Sequence, residues 1–206
     1  MLEDATAEMQ QLAGEIKQCT RCRLHETRTQ SVPGEGPADA RLLFVGEGPG
    51  YHEDKQGRPF VGAAGRFLEE LLASIGMSRA DVFITNVVKS RPPQNRDPLP
   101  DEIAACRPWL NRQLEIIKPA VVVTLGRFSM ERFIPGVTIT RVHGQERRVG
   151  DLLVFPMFHP AAALHQPKYR SLIEQDMLKI PGILAGLQPV EPADPPKALP
   201  QQPSLF

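Results

Sequence analysis

The sequence has 206 residues, with 24 basic and 24 acidic side chains, three cysteines and 21 prolines. The length suits one domain with an appendage or two small domains, and a hydrophobic content of 41% is typical of a folded chain. Balanced charge excludes a histone-like polycation, but a local basic face would still permit nucleic-acid binding. The odd cysteine count excludes a fully paired disulfide framework. Because the N-terminus also lacks a signal sequence and no apolar run approaches the roughly 18 residues of a membrane span, we expect a cytoplasmic protein. We also expect a monomer.

Helical periodicity and apolar runs alternate along the chain in an order typical of α/β proteins. In chain order, the predicted elements are a helix over 5–18, a strand over 41–45, a helix over 65–75, a strand over 82–85, a helix over 101–117, a strand over 120–125, a helix over 128–133, a strand over 152–155 and a helix over 168–184. Residues 137–149 are a candidate edge hairpin. The pattern predicts a three-layer α/β/α fold with a central, mostly parallel four-stranded sheet.

The composition changes at residue 188. Six prolines follow from Pro189 onward, so we expect one domain over 1–187 and a disordered Pro-rich tail over 188–206. The last five residues, Gln202 to Phe206, read QPSLF. They resemble the pentapeptide by which bacterial proteins dock on the replication sliding clamp, although Pro203 replaces the usual leucine. The resemblance implies a tether to the clamp and a location in the bacterial cytosol or nucleoid.

Polar side chains follow the predicted strands. Glu47 lies in GEGPG (46–50), Asn86 follows the second strand and His159 follows the fourth. Because ligands bind outside the carboxyl ends of parallel strands, a carboxylate, an amide and an imidazole at one edge predict a reactive site. GEGPG is not a dinucleotide-binding fingerprint, since Tyr51 stands at the position of the third glycine.

Five motifs together carry a family resemblance over about residues 8–185. They are CxxC (19–22), GEGPGYHEDKQGRPFVG (46–62), ITNVVKSRPP (84–93), VVTLG (122–126) and FHPAA (158–162). In this order and spacing they resemble the family 4 uracil-DNA glycosylases, the iron–sulfur branch of the uracil-DNA glycosylase superfamily. The resemblance implies an enzyme that flips deoxyuridine out of DNA and hydrolyses its N-glycosidic bond, which releases uracil and leaves an abasic site for base-excision repair. The alternative is a non-catalytic DNA-binding module of the same fold with an impaired iron–sulfur site.

The resemblance also implies a role for each polar motif residue. Asn86 would pair with uracil, because an amide both donates and accepts and so matches the O4 acceptor and the N3–H donor. Phe60 would stack on the flipped base. His159 would donate a hydrogen bond to O2 of the departing uracil anion. Glu47, with Glu53 as a second candidate, would orient the attacking water or offset positive charge on the sugar.

Glycines in the first motif complete the predicted base-binding set. Gly48 and Gly50 would allow the backbone to approach the base closely. Gly48 also stands where other branches of the superfamily carry an aspartate, in agreement with family 4. A close relative forms a covalent adduct with DNA through a histidine on a KRRIH insertion. No such insertion follows NVVK (86–89), so the resemblance implies turnover and not a trapped adduct.

Family members carry four cysteines for a [4Fe–4S] cluster, and this chain has three of them. Cys19, Cys22 and Cys106 match, whereas Ser90 stands where the family word NVVKCRPP has its cysteine. Iron–sulfur clusters normally bind thiolates. Ser90 would therefore ligate through oxygen, or a three-cysteine cluster is labile, or no cluster forms, or the serine is an introduced substitution. We favour a bound cluster with Ser90 as the candidate fourth ligand; for CxxC alone, a zinc site or a redox pair is the alternative.

Basic residues on loops near the strand ends predict a rim that faces DNA. Contacts from such a rim to phosphates would be independent of base sequence and sensitive to salt. The candidates are Lys89, Arg91 and Arg96, together with Arg21, Arg23, Arg141, His143, Arg147 and Arg148.

Overall fold

Helices and strands alternate in the computed structural model, which describes residues 2–187. The strands are β1 (Leu42–Gly46), β2 (Phe83–Asn86), β3 (Val121–Leu125), β4 (Arg147–Val149) and β5 (Leu152–Met157). The α-helices are α1 (Leu2–Lys17), α2 (Tyr51–Gln56), α3 (Ala63–Ser74), α4 (Pro100–Ile117), α5 (Arg127–Phe133), α6 (Ile139–Val142), α7 (Ala161–His165), α8 (Pro167–Met177) and α9 (Ile180–Gly186). The predicted tail over 188–206 lies outside the described residues. Across residues 2–187, no helix is both long and apolar enough to cross a membrane.

The sheet is mostly parallel, as predicted, with strand order β2-β1-β3-β5-β4. Within the described residues it has five strands, so the prediction of four is wrong. The additional strand, β4, pairs antiparallel with β5 at the edge of the sheet. Its residues Arg147 and Arg148 are exposed and charged, and such a three-residue strand has no apolar run to reveal it. Of the predicted hairpin over 137–149, only the last residues form a strand, because Ile139–Val142 form α6.

Side chains from both faces of the sheet are buried under helices. Alternate residues of β1 point in opposite directions, so Leu43 packs with α1 and α4, whereas Phe44 packs with α3 and α8. All five residues of β1 are buried. This burial explains why the strand reads as a continuous apolar run, and it confirms the three-layer prediction.

The predicted helices differ from the structure in two ways: one predicted helix is divided, and the short helices α2, α6 and α7 were not predicted. The predicted helix over 168–184 is two helices, because the chain turns at Leu178 and Lys179 before Pro181, whose ring cannot continue a helix from the preceding turn. Helix α2 was not predicted, since its six residues are too few to show helical periodicity. It lies directly after the GEGPG motif and is the support for one wall of the site described below.

Candidate active site

A cavity of about 430 Å³ opens where the parallel strands end. Every residue that the sequence predicts for catalysis or base binding contributes to its wall, although the roles stay predictions. These residues are Glu47, Gly48, Gly50, Glu53, Phe60, Asn86 and His159. The strands bring them together because β1, β2, β3 and β5 run parallel and end at one edge of the sheet.

Asn86 lies at the end of β2, directly opposite Gly46 at the end of β1. A Cβ atom on Gly46 would overlap Oδ1 of Asn86 and would lie 2.8 Å from the ring of Phe60. Only glycine therefore lets the amide and the ring approach each other at this position. The sequence analysis missed Gly46, and its one signal was the first glycine of GEGPG.

Phe60 adopts a left-handed backbone conformation, with φ at 52°. This conformation is strained for an aromatic residue and persists only where the surroundings enforce it. Arg79 donates from one guanidinium nitrogen to the carbonyl oxygen of Phe60 at 3.0 Å and from another to that of Pro59 at 2.6 Å. A side chain on Gly65 would overlap the Phe60 carbonyl group. Arg79 and Gly65 were both missed from sequence, because their effect depends on contacts between segments.

Glu53 supports the same loop from α2. Its Oε1 accepts hydrogen bonds from the backbone N–H groups of Val61 at 2.9 Å and Gly62 at 3.0 Å. The carboxylate therefore orients the segment that follows Phe60. This geometry favours a positioning role for Glu53, and Glu47 stays the first predicted catalytic carboxylate.

His159 presents one defined face to the cavity. Its Nδ1 accepts a hydrogen bond from the backbone N–H of Ala161 at 3.1 Å. In the neutral ring the proton is therefore on Nε2, which makes Nε2 a donor. Burial lowers the pKa of His159 from 6.5 to about 4, and the nearby Glu53 opposes this only in part. The imidazole stacks on the ring of Phe60, with centroids 5.5 Å apart and planes inclined by 26°.

Glu47 directly follows β1 and is half-buried. Burial raises its pKa from the ordinary value of 4.5 to about 7; Asp97 adds to the rise, and Arg127 opposes it. Arg127 and Asp97 form an ion pair with each other. Near neutral pH, Glu47 is thus balanced between its acid and its carboxylate form.

The predicted basic rim needs correction. Lys89 is only 2% exposed, so its side chain does not face DNA. Arg148 lines a cavity with Arg41 and Lys118 at the edge where the strands begin, away from the strand ends. Arg96 lies in the wall of the candidate active site, where its guanidinium pairs with Glu102, and its contact with DNA stays a prediction.

An exposed tyrosine, not singled out from sequence, follows the GEGPG motif. Tyr51 is 50% exposed, and the guanidinium of Arg91 lies 5.1 Å from its ring centroid. The ammonium of Lys55 lies 5.8 Å from the same centroid. An aromatic surface flanked by cations matches the chemistry of nucleic-acid binding.

The predicted metal ligands lie around a second, smaller cavity. Cys19 and Cys22 follow α1, Ser90 follows β2 and Cys106 lies on α4, and all four line this cavity. Three of them accept hydrogen bonds at the side chain. The donors are Trp109 Nε1 to Cys19 (3.3 Å), the backbone N–H of Lys89 to Cys106 (3.2 Å) and Arg28 to the hydroxyl of Ser90 (3.0 Å).

Two of the three thiols, those of Cys22 and Cys106, are poorly suited to redox chemistry on their own. Burial raises the pKa of Cys106 to about 11, and it also raises the pKa of Cys22. Such thiols stay protonated at neutral pH unless a metal replaces the proton. Among the described residues, no group of His, Cys, Asp or Glu side chains converges on a single ion site. A [4Fe–4S] cluster needs no such convergence, because each thiolate binds a different iron.

Comparison with known proteins identifies the family. The family model described as "Uracil DNA glycosylase superfamily" matches residues 33–178. The type-4 uracil-DNA glycosylase of Sulfurisphaera tokodaii is 47% identical over 84% of this chain and 83% of its own. The enzyme of Archaeoglobus fulgidus is 48% identical over 85% of this chain and 92% of its own chain. The enzyme of Thermotoga maritima is 48% identical over 83% of this chain and 92% of its own chain. The chain belongs to the type-4 uracil-DNA glycosylases.

The type-4 uracil-DNA glycosylase family is associated with iron–sulfur clusters, and the donor set of this chain fits one. Three sulfurs and a hydroxyl surround one cavity, and hydrogen bonds to sulfur are the usual support of cluster ligands. Lys89 gives a second reason. Its buried side chain has no carboxylate partner among the ion pairs of residues 2–187, and burial lowers its pKa from 10.5 to about 7, which Cys106 opposes only in part. Anionic ligands in the cavity would compensate the Lys89 cation.

We expect a titration of Glu47 by NMR of the carboxyl carbon to have its midpoint near 7. Asp97→Asn should lower this midpoint, because it removes a neighbouring negative charge that favours the protonated form. Asp151→Asn, at an exposed turn between β4 and β5, is the matched control and should leave the midpoint unchanged. A midpoint near the ordinary 4.5 in the unsubstituted protein would contradict the burial of Glu47.

Proposed function

We propose that this protein is a monofunctional uracil-DNA glycosylase that flips deoxyuridine out of DNA and hydrolyses its N-glycosidic bond. The observation that carries the proposal is the shared wall of one cavity, in which Glu47, Phe60, Asn86 and His159 all lie. Family membership supports the reaction class, since the relatives are named uracil-DNA glycosylases. Under this proposal the protein acts as a monomer in the bacterial cytosol or nucleoid, where its DNA lies.

Recognition of uracil rests on Asn86. Its amide is 2% exposed and is held beside Gly46, so the side chain loses little further conformational entropy when a base binds. The amide N–H donates to O4 of uracil and the amide oxygen accepts from N3–H. Cytosine presents the opposite pattern of donor and acceptor, which leaves two unpaired polar groups and weakens its binding. Phe60 supplies the stacking face.

Departure of uracil places negative charge on its O2. The Nε2–H of His159 is the donor for this oxygen, and the ring stays neutral because its pKa is about 4. A neutral donor stabilises the developing anion without protonating it. The hydrogen bond from Ala161 to Nδ1 holds the tautomer before the substrate arrives, so no reorganisation is needed during bond cleavage.

Glu47 acts on the other product of cleavage, the sugar. Its carboxylate form orients the attacking water and offsets the positive charge of the oxocarbenium-like sugar. Because its pKa is about 7, a substantial share of the protein carries this carboxylate at neutral pH.

We expect Asn86→Ala and His159→Ala each to lower the single-turnover rate of uracil excision by at least about 10²-fold, the effect of removing one preorganised donor. The measurement is release of uracil from a uracil-containing oligonucleotide, followed by alkaline cleavage at the abasic site. His165→Ala is the matched control: this exposed histidine on α7 should retain the rate of the unsubstituted protein. Rates close to that of the unsubstituted protein in both site variants would refute the assignment.

The same assay separates the alternatives. Several turnovers with an alkali-labile product support hydrolysis. A protein–DNA band that survives denaturation would instead indicate a covalent adduct. Binding of DNA without any excision at stoichiometric protein would favour the non-catalytic module.

For the second cavity, we propose a [4Fe–4S] cluster held by Cys19, Cys22, Cys106 and Ser90. When bound, the cluster would serve as a structural cross-link between the end of α1, the loop after β2 and α4. Ser90 is 6% exposed, and Arg28 donates to its hydroxyl oxygen. These contacts hold the hydroxyl oxygen at the cavity, but this oxygen lacks the affinity of a thiolate for iron.

Ser90→Cys should raise the iron and sulfide content of anaerobically purified protein and slow the loss of iron to a chelator, because it completes a four-thiolate set. The measurement is the amount of iron, sulfide and zinc per chain. Ser171→Cys, on the exposed face of α8, is the matched control and should change none of these. Zinc in place of iron would overturn the cluster assignment, and equal iron in both variants would exclude Ser90 from the ligand set.

Docking on the bacterial sliding clamp is proposed from the sequence of Gln202–Phe206 alone, which lies outside the described residues. A pull-down of the full chain by the clamp is expected to succeed, and Leu205→Ala with Phe206→Ala should abolish it, since these side chains are the apolar anchors of the pentapeptide. Equal capture of the substituted and unsubstituted chains would contradict this partner.

A further inference from the structure

Lys89 forms a buried polar network that none of the roles above requires. Its ammonium donates three hydrogen bonds, to Thr85 Oγ1 at 2.6 Å, to the backbone oxygen of Asn86 at 2.7 Å and to Gln113 Oε1 at 2.7 Å. An ammonium has three donors, and all three are used here. The acceptors belong to the last two residues of β2 and to α4.

The acceptors are themselves held in place. The side chains of Thr85 and Gln113 both donate to the backbone oxygen of Pro33, at 2.9 Å and 2.7 Å. Both side chains are buried, at 0% and 1% exposure. The network therefore joins the end of β2, helix α4 and the loop that precedes β1 into one rigid unit.

This network lies directly behind the uracil-reading amide. Side chains alternate along a strand, so Thr85 faces α4 and the network, whereas Asn86 faces the cavity. The carbonyl group of Asn86 accepts from Lys89, and its side chain packs against Gly46. The orientation of the amide therefore depends on a backbone group that Lys89 holds.

A space-filling role would not require a charge at this position. A methionine of similar length would occupy the same space without the cost of burying an ammonium. A cation is useful at this position because its three donors hold the oxygens of Thr85, Asn86 and Gln113 at fixed positions.

We propose that Lys89 is a positioning residue that holds Asn86 in register for uracil recognition. The inference rests on the proposed function, because it concerns the orientation of the base-reading amide. Lys89 touches no substrate atom, and its effect on the rate passes entirely through Asn86.

The test is Lys89→Met in the full chain. The single-turnover rate of uracil excision should fall between about 10- and 100-fold, the range expected when a reacting group is misplaced by about 1 Å. Affinity for DNA that carries an abasic site should be unchanged, because that DNA has no base for Asn86 to read. Lys118→Met, on an exposed lysine at the end of α4, is the matched control and should keep the unsubstituted rate.

A double-mutant cycle separates positioning from general structural damage. In the Asn86→Ala background, Lys89→Met should add almost nothing to the loss, because the group that it positions is already absent. Losses that multiply, equal loss of abasic-site affinity, or a rate equal to that of the unsubstituted protein would each overturn the proposal. The backbone N–H of Lys89 also donates to Cys106, so the excision rates are compared between samples of equal iron content. A loss of rate that is proportional to the loss of iron would also overturn the proposal.

A milder variant keeps the inference testable if Lys89→Met does not fold. Thr85→Val removes one acceptor and preserves the shape of the side chain. Its excision rate should lie between those of the unsubstituted protein and Asn86→Ala, again with no added loss in the Asn86→Ala background. Absence of excision by the unsubstituted protein would refute the proposed function itself, whereas unchanged excision in Thr85→Val would refute only the role of Lys89.

Discussion

The close approach of β1 and β2 at their carboxyl ends is the constraint on which the site depends. The parallel register places Gly46 opposite Asn86, and the missing side chain leaves room for the amide and for the ring of Phe60. Phe60 reaches this place only in a left-handed conformation, which Arg79 and Glu53 hold from either side. The cavity is thus a consequence of how tightly two backbones and one strained loop pack together.

Burial in this cavity acts in opposite directions on the two titratable groups proposed for catalysis. It disfavours the charged form of each, so the pKa of Glu47 rises to about 7 and that of His159 falls to about 4. At neutral pH the imidazole is therefore a neutral donor, while the carboxyl group is partly ionised. One physical cause, loss of contact with water, therefore keeps the proposed donor for the base neutral and leaves only part of the Glu47 population as the carboxylate proposed to act at the sugar.

The base-binding cavity and the cysteine cavity share the segment that follows β2. Asn86 lies in one, Ser90 lies in the other, and Lys89 contacts both through its side chain and its backbone N–H. A cross-link at the second cavity would therefore limit movement of the first. This arrangement gives a physical reason for the structural role of the proposed cluster, since the proposed chemistry involves no electron transfer.

The sequence by itself determined the parallel sheet, because buried strands must be apolar, and it determined which residues meet at its edge, because parallel strands end together. Glu47, Asn86 and His159 were found in this way. The short polar strand β4 gave no apolar run, so it was missed. Lys89 was misread as a surface cation, because its burial depends on Gln113, a residue 24 positions away on α4. Tertiary structure alone decided the tautomer of His159, the strained turn at Phe60 and the inward direction of Lys89, since each depends on contacts between segments that are distant along the chain.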